Sequence, residues 1–181
     1  MYAPTRTPRT TYGCEPFVPD VRLRLAASTD VPTLQRWDQA EHVRAVSGDD
    51  EAWDWPTEIG VLWQEVWLCE VDDHPIGVVI VLDAASEPTG YWDSDTEKAS
   101  PGTFAIDIWI GEPDAMGRGY GTTMMKHAIA RAFEQHGAHR IVIDPLAINT
   151  RAIKFYRTLG FCDVGPRRFG NDECLVLELR R

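Results

Sequence analysis

The sequence predicts one mixed α/β domain. Short runs with apolar residues at alternate positions, typical of strands, are interspersed with longer runs that repeat apolar residues at helical spacing. Their order along the chain is strand, helix, an irregular stretch, two strands, a long loop, strand, helix, strand, helix and two final strands. A chain of 181 residues with 44% hydrophobic content can bury a substantial core and is short enough to favour a single domain.

The first elements follow an N-terminal arm. Residues 1–20, rich in Thr, Pro and Arg, predict a flexible arm, and residues 21–181 predict the folded domain. Residues 21–25, "VRLRL", alternate like a strand. Residues 28–43 begin with capping side chains and a proline and predict a helix. Residues 44–64 are irregular and predict a mixture of short helix and loop.

The middle of the chain predicts a hairpin and a long loop. The runs "EVWLCEV" and "IGVVIVL" predict two strands, and the short polar turn "DDHP" between them favours antiparallel pairing. Residues 83–102 then form an acidic loop that contains two aromatic side chains. Loops of this length without regular structure are uncommon and often functional.

The second half has the sharper pattern. The run "TFAIDIWI" predicts a strand with Asp107 and Trp109 on one face and four apolar side chains on the other. A helix that contains residues 124–137 follows, with Gly137 at its end. After it come the short strand "HRIVID", the helix "NTRAIKFYRTLG", and the strands "FCDVG" and "CLVLEL" around a turn at "FGNDE".

The composition restricts the classes of function. The 18 basic and 28 acidic residues give a formal net charge of −10, which disfavours nucleic acid and anionic membranes and favours a cationic partner. The alternative is that this acidity serves solubility. The 4 cysteines and 5 histidines are scattered without a CxxC or HExxH pattern, so no metal site is predicted. No apolar run approaches the roughly 20 residues that span a bilayer, and reduced thiols favour a cytoplasmic protein.

A glycine-rich segment, "GEPDAMGRGYGTT" at residues 111–123, joins the strand of Asp107 to the next helix. Such a turn directs free N–H groups and the positive helix end at one point, which suits a phosphate. Gly117, Gly119 and Gly121 would let a ligand approach the backbone closely. The alternative is an ordinary turn. Two known nucleotide motifs do not fit, because the segment lacks the lysine of a Walker loop and the last glycine of a dinucleotide fingerprint.

Four motifs in the second half of the chain carry a family resemblance. They are "MGRGYGT" before a helix, "DP" at Asp144 and Pro145, "NTRAI" at Asn149 to Ile153, and "FYRTLGF" at Phe155 to Phe161. Together they resemble the GCN5-related N-acetyltransferase (GNAT) superfamily, and more narrowly the aminoglycoside 6'-N-acetyltransferases, over residues 23–179. The resemblance implies the GNAT fold, with a mixed, mainly antiparallel central sheet flanked by helices. The chain departs from the family at Met116, where relatives usually carry Gln or Arg.

The resemblance implies that acetyl-CoA is bound as co-substrate. The glycine loop would hold its pyrophosphate through backbone amides, while the strand backbone and Asn149 would bind the pantetheine arm. The alternative role of Asn149, a helix N-cap, is compatible with this one. The expected cofactor-binding residues are Ile108, Trp109, Ile110, Arg118, Gly119, Tyr120, Gly121, Thr122 and Asn149.

Two catalytic residues are implied. Asp107 resembles the acidic residue to which the family's base function is attributed, and its carboxylate could also hold the ammonium group of a substrate. The alternative is a solvent-facing or ion-paired strand carboxylate. Tyr156 resembles the tyrosine near the thioester sulfur, whose phenol could protonate the departing thiolate. Its alternative is packing on a helical face with Ala152 and Leu159.

The acceptor side rests on the acidic, aromatic loop, which resembles the loop that contacts the drug in aminoglycoside 6'-acetyltransferases. Carboxylates would pair with a cationic aminosugar and aromatic faces would cover its rings. The alternative is a solvated acidic loop with Trp92 packed in the core. Relatives often carry a tryptophan pair soon after the position of His42, whereas Trp53 and Trp55 come later in this chain. Either one of them substitutes for that pair in the pocket, or the acceptor differs. The expected substrate-binding residues are Tyr91, Trp92, Asp93, Asp95, Asp107 and Asp144.

Three functions are therefore compared. The first is acetyl transfer to the 6'-amine of aminoglycosides, which would confer antibiotic resistance. The second is acetyl transfer to another amine, such as a polyamine, a siderophore precursor or a protein N-terminus. The third is a non-catalytic module that binds acetyl-CoA. The expected partner is a cationic small-molecule amine, with no nucleic acid or membrane, and the protein is expected to be a monomer or a homodimer.

Overall fold

A computed structural model describes residues 20–47, 53–94 and 98–181 of the chain. The predicted N-terminal arm, apart from Asp20, lies outside the described residues. Asp95 of the expected acceptor site lies outside them as well.

The described chain forms seven strands and five α-helices. The strands are β1 (Arg22–Leu25), β2 (Gln64–Val71), β3 (His74–Asp83), β4 (Thr103–Ile110), β5 (Arg140–Ile143), β6 (Cys162–Phe169) and β7 (Asp172–Arg180). The helices are α1 (Val31–Asp38), α2 (Glu41–Arg44), α3 (Trp55–Glu58), α4 (Tyr120–Ala130) and α5 (Thr150–Thr158). None of these helices is both long enough and apolar enough to cross a membrane.

All seven strands lie in one sheet, in the order β1, β2, β3, β4, β5, β7, β6. Only the β4 and β5 pair is parallel, and the other neighbours are antiparallel. The predicted mixed, mainly antiparallel sheet flanked by helices is therefore confirmed. The predicted hairpin between β2 and β3 is also confirmed, and Asp72 and Asp73 take the positive φ angles, 50° and 61°, that a two-residue turn of this kind requires.

The two faces of the sheet bury different clusters. The main cluster includes Phe104 and Ile106 of β4 together with Met124 and Met125 of α4. A second cluster, on the face that carries Trp109, is filled by α1 and α3 side chains such as Trp37. The predicted alternation of β4 is thus confirmed, because its apolar face and its Trp109 face belong to different clusters.

Three element boundaries differ from the predictions. The helix predicted over residues 28–43 is a 3₁₀ turn followed by α1 and α2, with a break at Gln39 and Ala40. Helix α4 begins at Tyr120, within the glycine segment, and ends in a π-helical turn. The last two strands are longer than predicted. In β6 the strand continues through Pro166, which has no N–H to donate, because β6 lies at the edge of the sheet.

Candidate active site

The site is built around a gap between β4 and β5. These parallel strands pair only at Thr103, Phe104 and Ala105 of β4. From Ile106 onward β4 still pairs with β3, and no strand among the described residues pairs with its other side. An unpaired edge inside a sheet leaves N–H and C=O groups that can bond an extended ligand.

The expected pantetheine strand, Ile108 to Ile110, lies on this unpaired edge. Its last carbonyl already has a contact, because the Ile110 oxygen lies 3.0 Å from Nε2 of His42. The Trp109 indole packs against the second cluster, on the face of the sheet that α1 and α3 cover. Its Nε1 is buried without a hydrogen-bond partner among the described residues. The strand therefore offers its backbone rather than its side chains to the gap.

The glycine loop leads directly into α4. Gly117 and Gly119 have φ angles of 75° and 86°, which only glycine adopts at little cost. No described residue accepts a hydrogen bond from the N–H groups of residues 117–121. A Cβ placed at Gly121 would meet no atom within 4 Å, so the space in front of the helix is open. Five free amides at the positive end of a helix form a site for an anion.

Two side chains of this loop complete the expected phosphate site. Arg118 is exposed and its guanidinium can reach solvent-side anionic groups. The N–H of Thr122 already donates to the Gly119 oxygen at 3.0 Å, so only the Thr122 hydroxyl is available to a ligand.

Asn149 lies at the N-cap of α5. Its Oδ1 accepts a hydrogen bond from the Ala152 N–H at 3.1 Å, so the capping role is confirmed. The side-chain amide Nδ2 has no acceptor among the described residues. Asn149 can therefore cap the helix with its oxygen and donate to a ligand with its nitrogen.

Tyr156, on the same helix, connects the cofactor side to two carboxylates. Its ring is buried in the main cluster and packs against Phe155 and Phe161. Burial raises the pKa of the phenol, and the negative charges of Asp107 and Asp144 raise it further. The phenol therefore stays protonated at neutral pH and can serve as a proton donor. Three groups from β4, from the end of β5 and from α5 are thus brought together at the gap.

Asp107 is half-buried on the Trp109 face of β4, opposite Ile80 of β3. Its negative charge acts on Tyr156, which lies in the cluster of the other face. Because β4 and β5 are not paired beyond Ala105, the charge of Asp107 on one face of the sheet can act on Tyr156 on the other face.

The acidic, aromatic loop folds back over the end of β5. The Tyr91 hydroxyl donates to Oδ2 of Asp144 at 2.6 Å. Trp92 is half-buried and meets Phe169 edge-on at 5.6 Å, so part of its surface is committed to packing. Oδ1 of Asp93 accepts the Ala99 N–H at 2.8 Å and stabilises the loop itself.

A group of three tryptophans flanks Asp107 along the same face. Trp55 is fully buried and its Nε1 donates to Oδ2 of Asp38 at 2.5 Å. Trp53 is half-buried and stacks on Trp55 at 5.3 Å, while Trp109 tilts against both. Trp53 is therefore the one of the two candidate tryptophans with surface left for a ligand, and Trp55 supports it from below.

Sequence reasoning missed two residues on the β6 and β7 hairpin. Arg167 and Phe169 both contact the acidic, aromatic loop. The sequence predicted β6 to end before them, so they were assigned to a connection. The only available signal was an arginine two positions before an aromatic residue, which is too common to indicate a contact.

Comparisons with known proteins give one family. A family model described as an acetyltransferase (GNAT) domain matches residues 26–169. The aminoglycoside N(6')-acetyltransferase type 1 of Klebsiella pneumoniae is 27% identical over 150 residues, which cover 78% of this chain and 73% of that protein.

Solved structures agree in fold. The structure of the aminoglycoside acetyltransferase AAC(6')-Ib with coenzyme A and kanamycin has a TM-score of 0.77 and 23% identity, and the match covers 90% of this chain and 95% of that one. The structure of AAC(6')-Ib with ribostamycin and coenzyme A has a TM-score of 0.78 and 24% identity, and covers 89% and 93%.

Proposed function

The chain belongs to the acetyltransferase (GNAT) family, and from this premise we propose that it transfers the acetyl group of acetyl-CoA to a primary amine of a cationic small molecule, above all to the 6'-amine of an aminoglycoside. The observation that carries the proposal is that the charges of Asp107, on the stretch of β4 that β5 does not pair, and of Asp144, just after β5, both act on Tyr156. The free amides of the glycine loop would bind an anion, and the carboxylates of Asp107 and Asp144 would bind a cation. Acetyl transfer from an anionic cofactor to a cationic amine needs that combination.

Acetyl-CoA supplies the acetyl group as a thioester and leaves as the thiol. The five free N–H groups of residues 117–121 would bind its pyrophosphate. Arg118 would add a positive charge, and Thr122 would add a hydroxyl donor. The unpaired edge of Ile108 to Ile110 and the Asn149 amide would bind the pantetheine arm. The open space at Gly117 and Gly121 is consistent with close approach of a phosphate group.

The proton transfers are assigned to two side chains. An amine attacks only when it is neutral, so the Asp107 carboxylate would accept a proton from the ammonium group, directly or through one water molecule. Tyr156 would donate its phenolic proton toward the thioester sulfur as the thiolate leaves. The phenol carries its proton at neutral pH, as this role requires, and burial together with Asp107 and Asp144 raises its pKa further.

The acceptor would lie among Tyr91, Asp144 and Trp53. The curated relative is named for acetylation at an aminoglycoside N6' position, and aminoglycosides are polycations. Carboxylates bind ammonium groups and aromatic faces cover sugar rings. Trp92, Asp93 and Asp95 are proposed to contribute from the same loop, although Trp92 and Asp93 also hold the loop together.

Three further features belong to the proposal. Residues 21–181 form the acetyltransferase domain, which is supported by a sheet that extends from Arg22 to Arg180. The enzyme works in the cytoplasm, which is supported by the free thiols of Cys69 and Cys162. It acts as a monomer or homodimer. Neither nucleic acid nor membrane is a partner, which its net charge of −10 supports.

An amine panel tests the function. Release of free thiol from acetyl-CoA is measured with kanamycin, tobramycin, spermidine and a peptide with a free N-terminus. We expect kanamycin and tobramycin to give the highest kcat/KM, and mass spectrometry with fragmentation to locate the acetyl group on the 6'-amine. Preference for spermidine or the peptide would replace the aminoglycoside assignment. Binding of acetyl-CoA without thiol release on any amine would refute catalysis.

A further inference from the structure

We propose that Arg167 is a positioning residue of the acceptor site, which holds Tyr91 so that its hydroxyl orients the Asp144 carboxylate. The inference rests on the proposed function, because it assigns Asp144 to amine binding. It concerns a residue of the edge strand β6 that no expected site residue neighbours in the sequence. Three contacts carry the argument.

The first contact is between Arg167 and the backbone of the loop. The guanidinium donates to the carbonyl oxygens of Tyr91 at 3.1 Å, of Trp92 at 3.3 Å, and of Asp93. Three consecutive carbonyls are thus gathered by one side chain. A planar guanidinium can do this with its fork of donors, whereas a lysine ammonium has no such fixed geometry.

The second contact is aromatic. The Tyr91 ring lies parallel to Phe169 at 4.4 Å with an interplanar angle of 9°. The Arg167 guanidinium lies over the same Phe169 ring at 4.4 Å. Tyr91 is therefore fixed both through its backbone carbonyl and through its ring, although the residue is exposed.

The third contact connects this assembly to the reaction site. The Tyr91 hydroxyl donates to Oδ2 of Asp144 at 2.6 Å, a length typical of a hydrogen bond to a carboxylate. The charge of Asp144 in turn acts on Tyr156. The hairpin thus fixes one oxygen of Asp144, and the rotation of that carboxylate about its own side chain is restricted.

The next residue along the strand offers a matched control. Arg168 is exposed, and its guanidinium makes no hydrogen bond to the described residues. Because successive strand residues point to opposite faces, it lies on the face away from Arg167. Arg167→Lys and Arg168→Lys therefore make the same chemical change, with the charge kept, on the two faces of one strand.

The kinetic test separates acceptor from cofactor. For Arg167→Lys we expect the KM of kanamycin to rise about tenfold, as loss of charge-assisted hydrogen bonds implies, while the KM of acetyl-CoA changes less than about twofold. Tyr91→Phe should raise the KM of kanamycin severalfold. The double variant should be no worse than Arg167→Lys alone, since both changes act through Asp144. Arg168→Lys should match the wild type.

Hydrogen exchange gives a readout that needs no substrate. The N–H groups of Thr89 and Tyr91 donate to the Glu87 carboxylate at 2.8 Å and 2.9 Å, and these amides should exchange faster in Arg167→Lys but not in Arg168→Lys. Equal KM values for both lysine variants, additive effects in the double variant, or unchanged exchange would overturn the positioning role while an active wild type leaves the proposed function intact. A wild type that turns over no amine would refute both.

Discussion

The cofactor side and the acceptor side of this site are built by different means. The cofactor side uses backbone groups from one continuous stretch, the amides of residues 117–121, together with the unpaired edge of β4. The acceptor side uses side chains from distant segments, as in the bond from Tyr91 to Asp144 and the bonds from Arg167 to the loop. A backbone site depends on glycines and on where a helix begins, whereas a side-chain site depends on contacts that the whole fold must bring together.

The two sides also differ in charge. Free N–H groups at the start of α4 present partial positive charge to an anionic cofactor. Asp107 and Asp144 would present negative charge to the proposed cationic amine. Tyr156 lies at the border, where both carboxylates raise its pKa. A mutation of Tyr156 or of the proposed base Asp107 should therefore affect turnover, whereas a mutation that only removes a binding contact on one side should affect the KM of that substrate alone.

The largest expected effect is at Asp107. Asp107→Asn keeps the shape of the side chain but removes the proton acceptor, so we expect kcat to fall by about 10² to 10⁴, with the KM of acetyl-CoA nearly unchanged. Steady-state kinetics with kanamycin measures both. Glu173→Gln, which neutralises an exposed carboxylate on β7, is the control. An Asp107→Asn enzyme with wild-type turnover would remove Asp107 from the mechanism.

The contrast between the two sides also explains what the sequence could predict. The loop at Gly117 to Gly121 and the cap at Asn149 were predicted, because they depend on neighbours within about one helical turn. The roles of Arg167 and Phe169 were not, because they depend on β6 extending to Phe169 beside a loop more than 70 residues away in sequence. The burial of Trp55 could not be separated from the half-burial of Trp53, since both lie in one short aromatic run.

The next largest effect tests the backbone side. Gly121→Val would place two methyl groups in the space before α4, where no described atom other than the chain neighbours and the helix's own backbone lies within 4 Å of an added Cβ. The clash would therefore be with the cofactor alone, and we expect the KM of acetyl-CoA to rise about 10- to 100-fold with the KM of kanamycin little changed.

Gly121→Ala sharpens this test. The substitution should weaken acetyl-CoA binding less than valine does, and because Ala is the better helix former it should stabilise the protein by about 0.5 to 1 kcal/mol. Opposite signs in stability and in cofactor affinity, measured by chemical denaturation and by calorimetric titration, would locate the defect in the ligand site. Unchanged affinity in both variants would contradict the phosphate site.

Tyr156→Phe should have a smaller effect than Asp107→Asn. The ring and its packing on Phe161 remain, so we expect normal stability and a kcat reduced about tenfold, which is less than the roughly 10²- to 10⁴-fold typical of acid–base catalysis. The raised pKa of the phenol also predicts how turnover depends on pH. Since the group is neutral below its pKa, wild-type turnover should show no loss from Tyr156 ionisation between pH 7 and pH 10. A Phe variant with wild-type kcat would leave Tyr156 as a packing residue.

The smallest effect concerns Asn149, the one place where the cofactor side relies on a side chain that also holds the fold. Asn149→Ala removes the bond from the Ala152 N–H to Oδ1, so we expect a loss of about 1 kcal/mol in the free energy of unfolding. Asn149→Ser keeps a capping oxygen but lacks the amide nitrogen. If Nδ2 binds the pantetheine arm, the serine variant should recover most of the stability and still show a KM for acetyl-CoA raised about three- to tenfold. If the serine variant recovers both, Asn149 is a cap alone, and the cofactor side then relies on backbone groups even at the start of α5.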